Sequence, residues 1–266
     1  MYTYSKDHSI FLKKLQREKK IVFIFRILII VLFLIIWELL SKFKIINTFL
    51  SSSPSEVIKT TINLFNDGSL IKHISITMYE VFISFIISTI LGLVVAIILW
   101  SNKIISKIID PYLTILNSLP KVALGPLIII WVGASINSIV FMALLISTFI
   151  TIINIYNGFI STDKAYIILL KSFGANKVQI FYKVILPSNY STIINSLKIN
   201  VSMNLIGVIM GELLVSKSGL GYLIMYGSQI FNINLVITSV VILGFISYFM
   251  YFVIEKFESL VNNKRS

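Results

Sequence analysis

Six apolar runs, each about 20 residues or longer, constrain the fold of this 266-residue chain more than any other feature. They cover residues 21–40, 76–100, 111–132, 136–158, 197–216 and 234–254. A bilayer core about 30 Å thick is crossed by about 20 residues of α-helix. Buried helices of soluble proteins are shorter and leave a polar face. The sequence therefore predicts an all-α polytopic membrane protein with six transmembrane helices.

The composition also indicates lipid as the main solvent of the folded surface. Apolar residues make up 57% of the chain and charged residues 13%, whereas soluble domains have about 45–50% and about 25%. The absence of cysteine excludes disulfides, thiolate metal sites and cysteine nucleophiles. A net charge of +12 is also found in nucleic-acid-binding proteins, but here the basic residues lie between apolar runs. We expect no nucleic-acid partner.

The basic residues predict the orientation. If both termini are cytoplasmic, sixteen Lys and Arg residues lie in inside segments and five in outside segments, as the positive-inside rule requires. The first run is too long for a signal peptide and lacks a small-residue cleavage site, so we expect a retained span. The predicted organisation is a basic cytoplasmic N-terminus (1–20), a transmembrane domain (21–254) and a cytoplasmic tail (255–266).

Residues 163–187 form the most informative polar segment, which we call the elbow. They lie between two spans and read DKAYIILLKSFGANKVQIFYKVILP. Gly174 suits a left-handed helix stop, Ala175 can begin a second short helix, and Pro187 is expected to end it. The elbow could lie on anionic lipid as an interfacial helix. The alternative is that it docks a soluble partner, with Ile168 and Phe173 inserting into a groove.

Several motifs carry a resemblance to a known family. They are Trp37-Glu38-Leu39, Pro54-Ser55-Glu56-Val57, the stretch from Asn117 to Leu127 followed by Trp131 and Gly133, Leu170 to Ala175 followed by Phe181, Val184, Leu186 and Pro187, Gly211-Glu212, and Ser218 to Tyr222. In order and spacing they resemble binding-protein-dependent ABC transporter permeases of the nitrate/sulfonate/taurine import branch. The elbow resembles the EAA loop of that family.

The resemblance implies a division of labour between chains. Two permease copies, expected here as a homodimer, form the path, ABC ATPase subunits dock on the cytoplasmic loops, and an extracytoplasmic binding protein delivers substrate. The chain has no phosphate-binding G-x-x-x-x-G-K-[ST] loop, which fits a transport subunit that is not an enzyme. No catalytic residues, cofactor or metal site are predicted. The implied location is the lipid bilayer of a bacterial plasma (inner) membrane.

The implied coupling residues are Ile168, Lys171, Phe173, Gly174, Ala175 and Pro187. Four positions depart from the family pattern, one of them Ser191, which replaces a second proline four residues after Pro187. Ile168 replaces the usual acidic residue six positions before the loop glycine, so coupling is expected to use apolar insertion with Lys171. Glu80 and Ser84 stand where a basic residue and a glycine are common.

Four residues are candidates for the translocation path: Pro120, Lys121, Pro126 and Glu212. The two prolines either break a helix to line a cavity or only tilt it, and Lys121 between them favours the cavity. A cation there suits an anionic substrate. Glu212 is either a gate residue or a carboxylate hydrogen-bonded to the glycine-rich loop at 219–221.

The expected function is import of a small solute, such as a sulfonate-, taurine- or nitrate-like anion. Close relatives also import thiamine precursors and other heterocycles, and these stay open as substrates. Two alternatives come from other classes: a secondary transporter, although no internal repeat is visible, and a membrane scaffold that does not transport.

Overall fold

Every regular element in the described part of the chain, residues 6–263 of a computed structural model, is a helix, which confirms the all-α prediction. The elements are α1 (Lys6–Lys42), α2 (Thr48–Ser51), α3 (Pro54–Asn66), α4 (Ser69–Ser101), α5 (Lys103–Ser118), α6 (Gly125–Val132), α7 (Ile136–Ser161), α8 (Lys164–Ser172), α9 (Lys177–Ile180), α10 (Leu186–Ser188), α11 (Tyr190–Val215), α12 (Leu220–Gln229) and α13 (Ile233–Asn263). Of the two predicted tails, residues 1–5 and 264–266 lie outside the described residues.

Five helices in the described residues are long and apolar enough to cross a bilayer: α1, α4, α7, α11 and α13. They contain all of the predicted runs 21–40, 76–100, 136–158 and 234–254, and the run 197–216 up to residue 215. They also extend beyond these runs. The 33 residues of α4 measure about 50 Å, more than the bilayer core of about 30 Å. The ends of such helices therefore project from the hydrocarbon.

The predicted run 111–132 is a bent pair of helices. The axes of α5 and of the segment Lys121–Val132 differ by 83°. The break follows from Pro120, since Leu119 before it adopts ψ 142 and leaves the helical region. A 3₁₀ turn (Lys121–Leu124) then leads into α6. Counted as one span, the bent pair gives the sixth crossing.

Helices α4, α7 and α11 form the buried centre of the molecule. Glycines allow close contact where α11 crosses α7, because a Cβ at Gly207 would collide with the Ala143 backbone, and one at Gly211 would lie 2.8 Å from Ile139 Cα. Such small-residue contacts are typical of helix packing in membranes, where dispersion replaces the hydrophobic effect.

Helix α1 lies outside this centre, and its span is unburied in the single chain. Two residues near its end hold it: the Glu38 carboxylate accepts hydrogen bonds from the N–H (3.1 Å) and hydroxyl (2.9 Å) of Ser55, and Ser41 Oγ donates to Ser52 O (3.3 Å). Ser55 lies in the first turn of α3, where the N–H groups attract negative charge. Helix α3 begins at Pro54 with Ser53 as its N-cap.

Candidate functional site

The elbow consists of two helical arms joined at Gly174. Gly174 has φ +77, in the left-handed region that favours glycine. Its N–H donates to Lys171 O (2.9 Å), and the N–H of Ala175 donates to Leu170 O (3.0 Å). This pair of bonds is a Schellman motif, which satisfies two carbonyl groups at the end of α8. The chain thus has the predicted helix–glycine–helix geometry.

The second arm differs from the prediction at both ends. Helix α9 begins at Lys177, after a capping box between Asn176 and Gln179, and not at Ala175. The expectation that Pro187 ends the helical arm is wrong. A π turn (Phe181–Ile185), closed by the Leu186 N–H on Phe181 O, continues into α10. The wider turn accommodates the missing N–H of Pro187, and the helical path breaks two residues later, at Asn189.

The inner face of the elbow is packed against the ends of α4 and α7. The Phe181 ring centroid lies 5.2 Å from that of Trp100 on α4 and 5.5 Å from that of Phe159 on α7. Ile180 and Ile185 are buried in the same cluster. A force applied to the elbow would therefore reach two central helices through packed aromatic rings.

The outer face of the elbow is apolar and uncovered in the single chain. Ile168 is 64% exposed and Phe173 is 78% exposed. Lys171 is also exposed, whereas Ala175 is half-buried against the inner cluster. Pro187 is exposed on the second arm. The structure thus brings Ile168, Lys171 and Phe173 to one arm and places Gly174 and Ala175 at its turn.

The bend between α5 and α6 carries a half-buried cation. Lys121 Nζ donates to Asn117 Oδ1 (3.1 Å) and lies 5.5 Å from the centroid of the Phe149 ring on α7. Pro120 and Pro126 flank it with exposed rings. Because Lys121 has one described hydrogen bond, its ammonium group has further protons that can be donated to an anionic ligand or to water.

Glu212 is on α11, away from the bend that carries Lys121. It is buried where α11 meets α4 and the start of α12. Its carboxylate accepts from Thr77 Oγ1 (2.6 Å) and from the Gly221 N–H (2.5 Å). A side chain at Gly219 would collide with the same carboxylate. The glycine-rich loop therefore closes directly over Glu212, and its role in a translocation path stays a prediction.

Two further buried polar features join the central helices, and the sequence analysis missed the first. The first is the hydrogen bond from Thr77 Oγ1 on α4 to Glu212 on α11. The other joins α4, α7 and α11, since Ser88 Oγ donates to Asn200 Oδ1 (2.9 Å) and Asn200 Nδ2 donates to Thr151 Oγ1 (2.6 Å). The periodicity of polar residues on α4 was the available signal, because 73, 77, 80, 84 and 88 share one helical face. Among the described residues, no group of three His, Cys, Asp or Glu side chains could hold a metal ion.

The chain is similar to membrane subunits of transporters. It is 30% identical to the formylaminopyrimidine transport permease protein ThiX of Halalkalibacterium halodurans, covering 73% of this chain and 77% of that protein. It is 27% identical to SsuC of Bacillus subtilis, named for aliphatic sulfonates transport, over 78% of this chain and 75% of that protein.

Solved structures show the same fold. An inward-facing MetNI methionine ABC transporter chain superposes with a TM-score of 0.62 at 20% identity, covering 70% of this chain and 92% of that chain. Residues 88–265, well over half of the sequence, match the family described as binding-protein-dependent transport system inner membrane component. The chain therefore belongs to this family of ABC transporter permeases.

Proposed function

We propose that this permease is one half of a homodimeric importer in a bacterial plasma membrane. ATP is hydrolysed on separate ATPase subunits that dock on the elbow, and an extracytoplasmic binding protein delivers the solute. Both termini face the cytoplasm. ATP-driven closure of the ATPase subunits moves the elbow and rocks the spans between outward and inward access.

The observation that carries this proposal is the two-faced elbow. Its outer face presents Ile168 and Phe173, which suits insertion into a groove of a soluble partner. Its inner face packs Phe181 against Trp100 and Phe159, at the ends of two central helices. A docking surface joined rigidly to the spans is what mechanical coupling requires. An interfacial helix lying on lipid would not need that rigid connection.

The proposed substrate is a small anion of the sulfonate, taurine or nitrate kind. Lys121 supports it, because this cation lies at the bend of a broken span with one described hydrogen bond. The similarity to SsuC, a protein named for aliphatic sulfonates transport, also supports it. A pyrimidine-like heterocycle is the second candidate, favoured by the 30% identity to ThiX, which is named for formylaminopyrimidine transport.

The test is co-expression of the tagged permease with candidate ATPase and binding proteins from the same organism, followed by purification and uptake assays in proteoliposomes. We expect a stoichiometric ATPase and uptake that needs both ATP and the binding protein. Competition by sulfonates, taurine, nitrate and pyrimidines then separates the two substrate candidates. Uptake without ATP would indicate a secondary transporter, and a partner without uptake would indicate a scaffold.

A further inference from the structure

The elbow is closed at its base by a buried hydrogen bond. Thr162 is the residue directly before the elbow, and Asn189 follows its second arm, where α11 begins. Asn189 Nδ2 donates to Thr162 Oγ1 (2.7 Å), so residues 27 positions apart in the sequence meet. Both side chains are buried. We call this pair the clasp.

The surroundings of Asn189 determine how its amide group is oriented. Its Nδ2 also donates to Ile185 O (2.9 Å), and a carbonyl oxygen can only accept. The amide nitrogen, and not Oδ1, therefore faces this carbonyl, and its two protons are divided between Ile185 O and the Thr162 hydroxyl. Since Ile185 ends the π turn and Thr162 caps α7, one side chain joins the second arm of the elbow to the end of α7.

Gly158 lets the clasp form against α7. A Cβ at Gly158 would lie 3.0 Å from Asn189 Oδ1 and 2.7 Å from Thr192 Cγ2. Because glycine has no side chain, the start of α11 can approach the last turn of α7 this closely. The two helices that flank the elbow are thus in contact where the clasp lies.

The first arm of the elbow depends on its ends because its own packing is sparse. Helix α8 contains no buried residue, and its Ile167 and Leu170 are only partly buried against the inner cluster. The second arm, by contrast, buries Ile180 and Phe181. The turn at Gly174 holds one end of α8, and the clasp lies beside the other end.

We propose that Asn189 is a positioning residue for coupling, which holds α8 in place through its bond to Thr162. This inference rests on the proposed docking of ATPase subunits on the elbow. With the clasp closed, a force on Ile168 and Phe173 moves α8, α7 and α11 together. With the clasp open, α8 shifts at its junction with α7 and part of the movement is lost, so ATP is hydrolysed without transport.

Thr162 offers a matched pair of variants. Thr162→Val keeps the shape of the side chain and removes the hydroxyl, whereas Thr162→Ser keeps the hydroxyl and removes the methyl group. Asn189→Ala breaks the same bond from the other side. The control is Ser161→Ala, because the Ser161 hydroxyl donates within α7, to Gly158 O (2.8 Å).

The first measurement is hydrogen–deuterium exchange of the purified full-length permease, read by mass spectrometry over residues 164–172. One hydrogen bond changes an equilibrium constant by about twofold to tenfold. We expect Thr162→Val and Asn189→Ala to speed exchange in α8 by that factor, and Thr162→Ser and Ser161→Ala to exchange like the wild type. Unchanged exchange in whichever clasp variant folds, or equally fast exchange in Thr162→Ser, would overturn the clasp.

The second measurement is the amount of solute imported per ATP hydrolysed by the assembled transporter in proteoliposomes. The probe is taurine or a pyrimidine, whichever the wild type imports. We expect this ratio to fall by about twofold to tenfold in Thr162→Val and to be restored in Thr162→Ser, with the ATPase subunits still bound. A lower Tm with an unchanged ratio, or release of the ATPase subunits, would overturn the positioning role.

Failure of the proposed function has a different signature. A wild type that retains no ATPase subunit on co-purification would contradict docking on the elbow and remove the coupling role with it. The exchange measurement needs neither ATPase nor solute, so it would still decide whether Asn189 and Thr162 hold α8.

Discussion

Gly207 controls how closely α11 approaches α7. A Cβ at this position would meet the backbone and side chain of Ala143, neither of which can rotate away. Gly244 on α13 is the natural comparison, because a Cβ there meets nothing within 4 Å. Alanine substitutions at the two positions therefore separate the cost of a steric clash between helices from the effect of replacing a flexible glycine.

We expect Gly207→Ala to lower the free energy of unfolding by about 1–3 kcal/mol, the usual cost of overpacking. The control Gly244→Ala should leave stability unchanged or raise it by up to about 1 kcal/mol, since alanine is the better helix former. Unfolding of both purified variants in detergent measures the difference. Equal stabilities would show that α7 and α11 do not touch at Gly207.

Lys121 is the residue that tests the anionic substrate. Lys121→Gln removes the charge and keeps a donor toward solvent. A charge-assisted hydrogen bond contributes about 1.5–3 kcal/mol, so we expect roughly a tenfold or greater rise in KM for an anion. The control is Lys103→Gln, an exposed lysine at the start of α5. Unchanged uptake kinetics would remove Lys121 from the substrate path.

At the scale of elements, the elbow carries the coupling hypothesis. Phe173→Ser combined with Ile168→Ser removes two exposed apolar side chains that contribute nothing to the core. Their burial in a partner is worth about 3 kcal/mol in total, or about a hundredfold in Kd. We therefore expect the ATPase subunits to dissociate and uptake to stop, while the permease still inserts and keeps its Tm.

The matched control for this pair is Phe43→Ser. Phe43 directly follows α1, is 69% exposed and lies at the predicted opposite side of the membrane. It should retain the ATPase and its uptake activity. Equal retention of the ATPase by the elbow variant, measured by quantitative co-purification, would contradict coupling through this face.

The elements also show which features can be predicted from sequence. The spans and the Gly174 turn follow from local rules, because hydropathy and a left-handed glycine act within one segment. The start of α12 at Leu220 was missed, since Gly219 and Gly221 indicate a loop, whereas the bond from the Gly221 N–H to Glu212 is one of the two alternatives that the sequence left open. The Thr77–Glu212 contact joins residues 135 positions apart, so no local pattern reveals it.

At the scale of the whole molecule, the distribution of basic residues predicts the orientation. The chain has no cysteine, so a single introduced thiol reports its own side of the membrane. With a membrane-impermeant thiol reagent on intact cells, we expect Lys217→Cys to react and Ser172→Cys to react only after lysis. The reverse pattern would place both termini outside and contradict the predicted topology.

The exposed apolar surface of α1 is explained by the assembly of the whole transporter. This surface is unburied in the single chain, and α1 is fixed at Glu38 by the first turn of α3. Lipid or the second permease copy covers this surface in the proposed homodimer. The central contacts of α4, α7 and α11 are complete within one chain, so each copy can move as a body when its elbow is pushed.

The most direct test of the central claim is site-specific cross-linking from Phe173→Cys in the assembled transporter, with Phe43→Cys as the matched control. The elbow thiol should cross-link to the ATPase subunit through a short bifunctional reagent, and the control thiol should not. This result would show that the ATPase contacts the chain at the exposed tip of the elbow. Cross-linking at Phe43→Cys alone, or at neither position while uptake remains ATP-driven, would contradict the account.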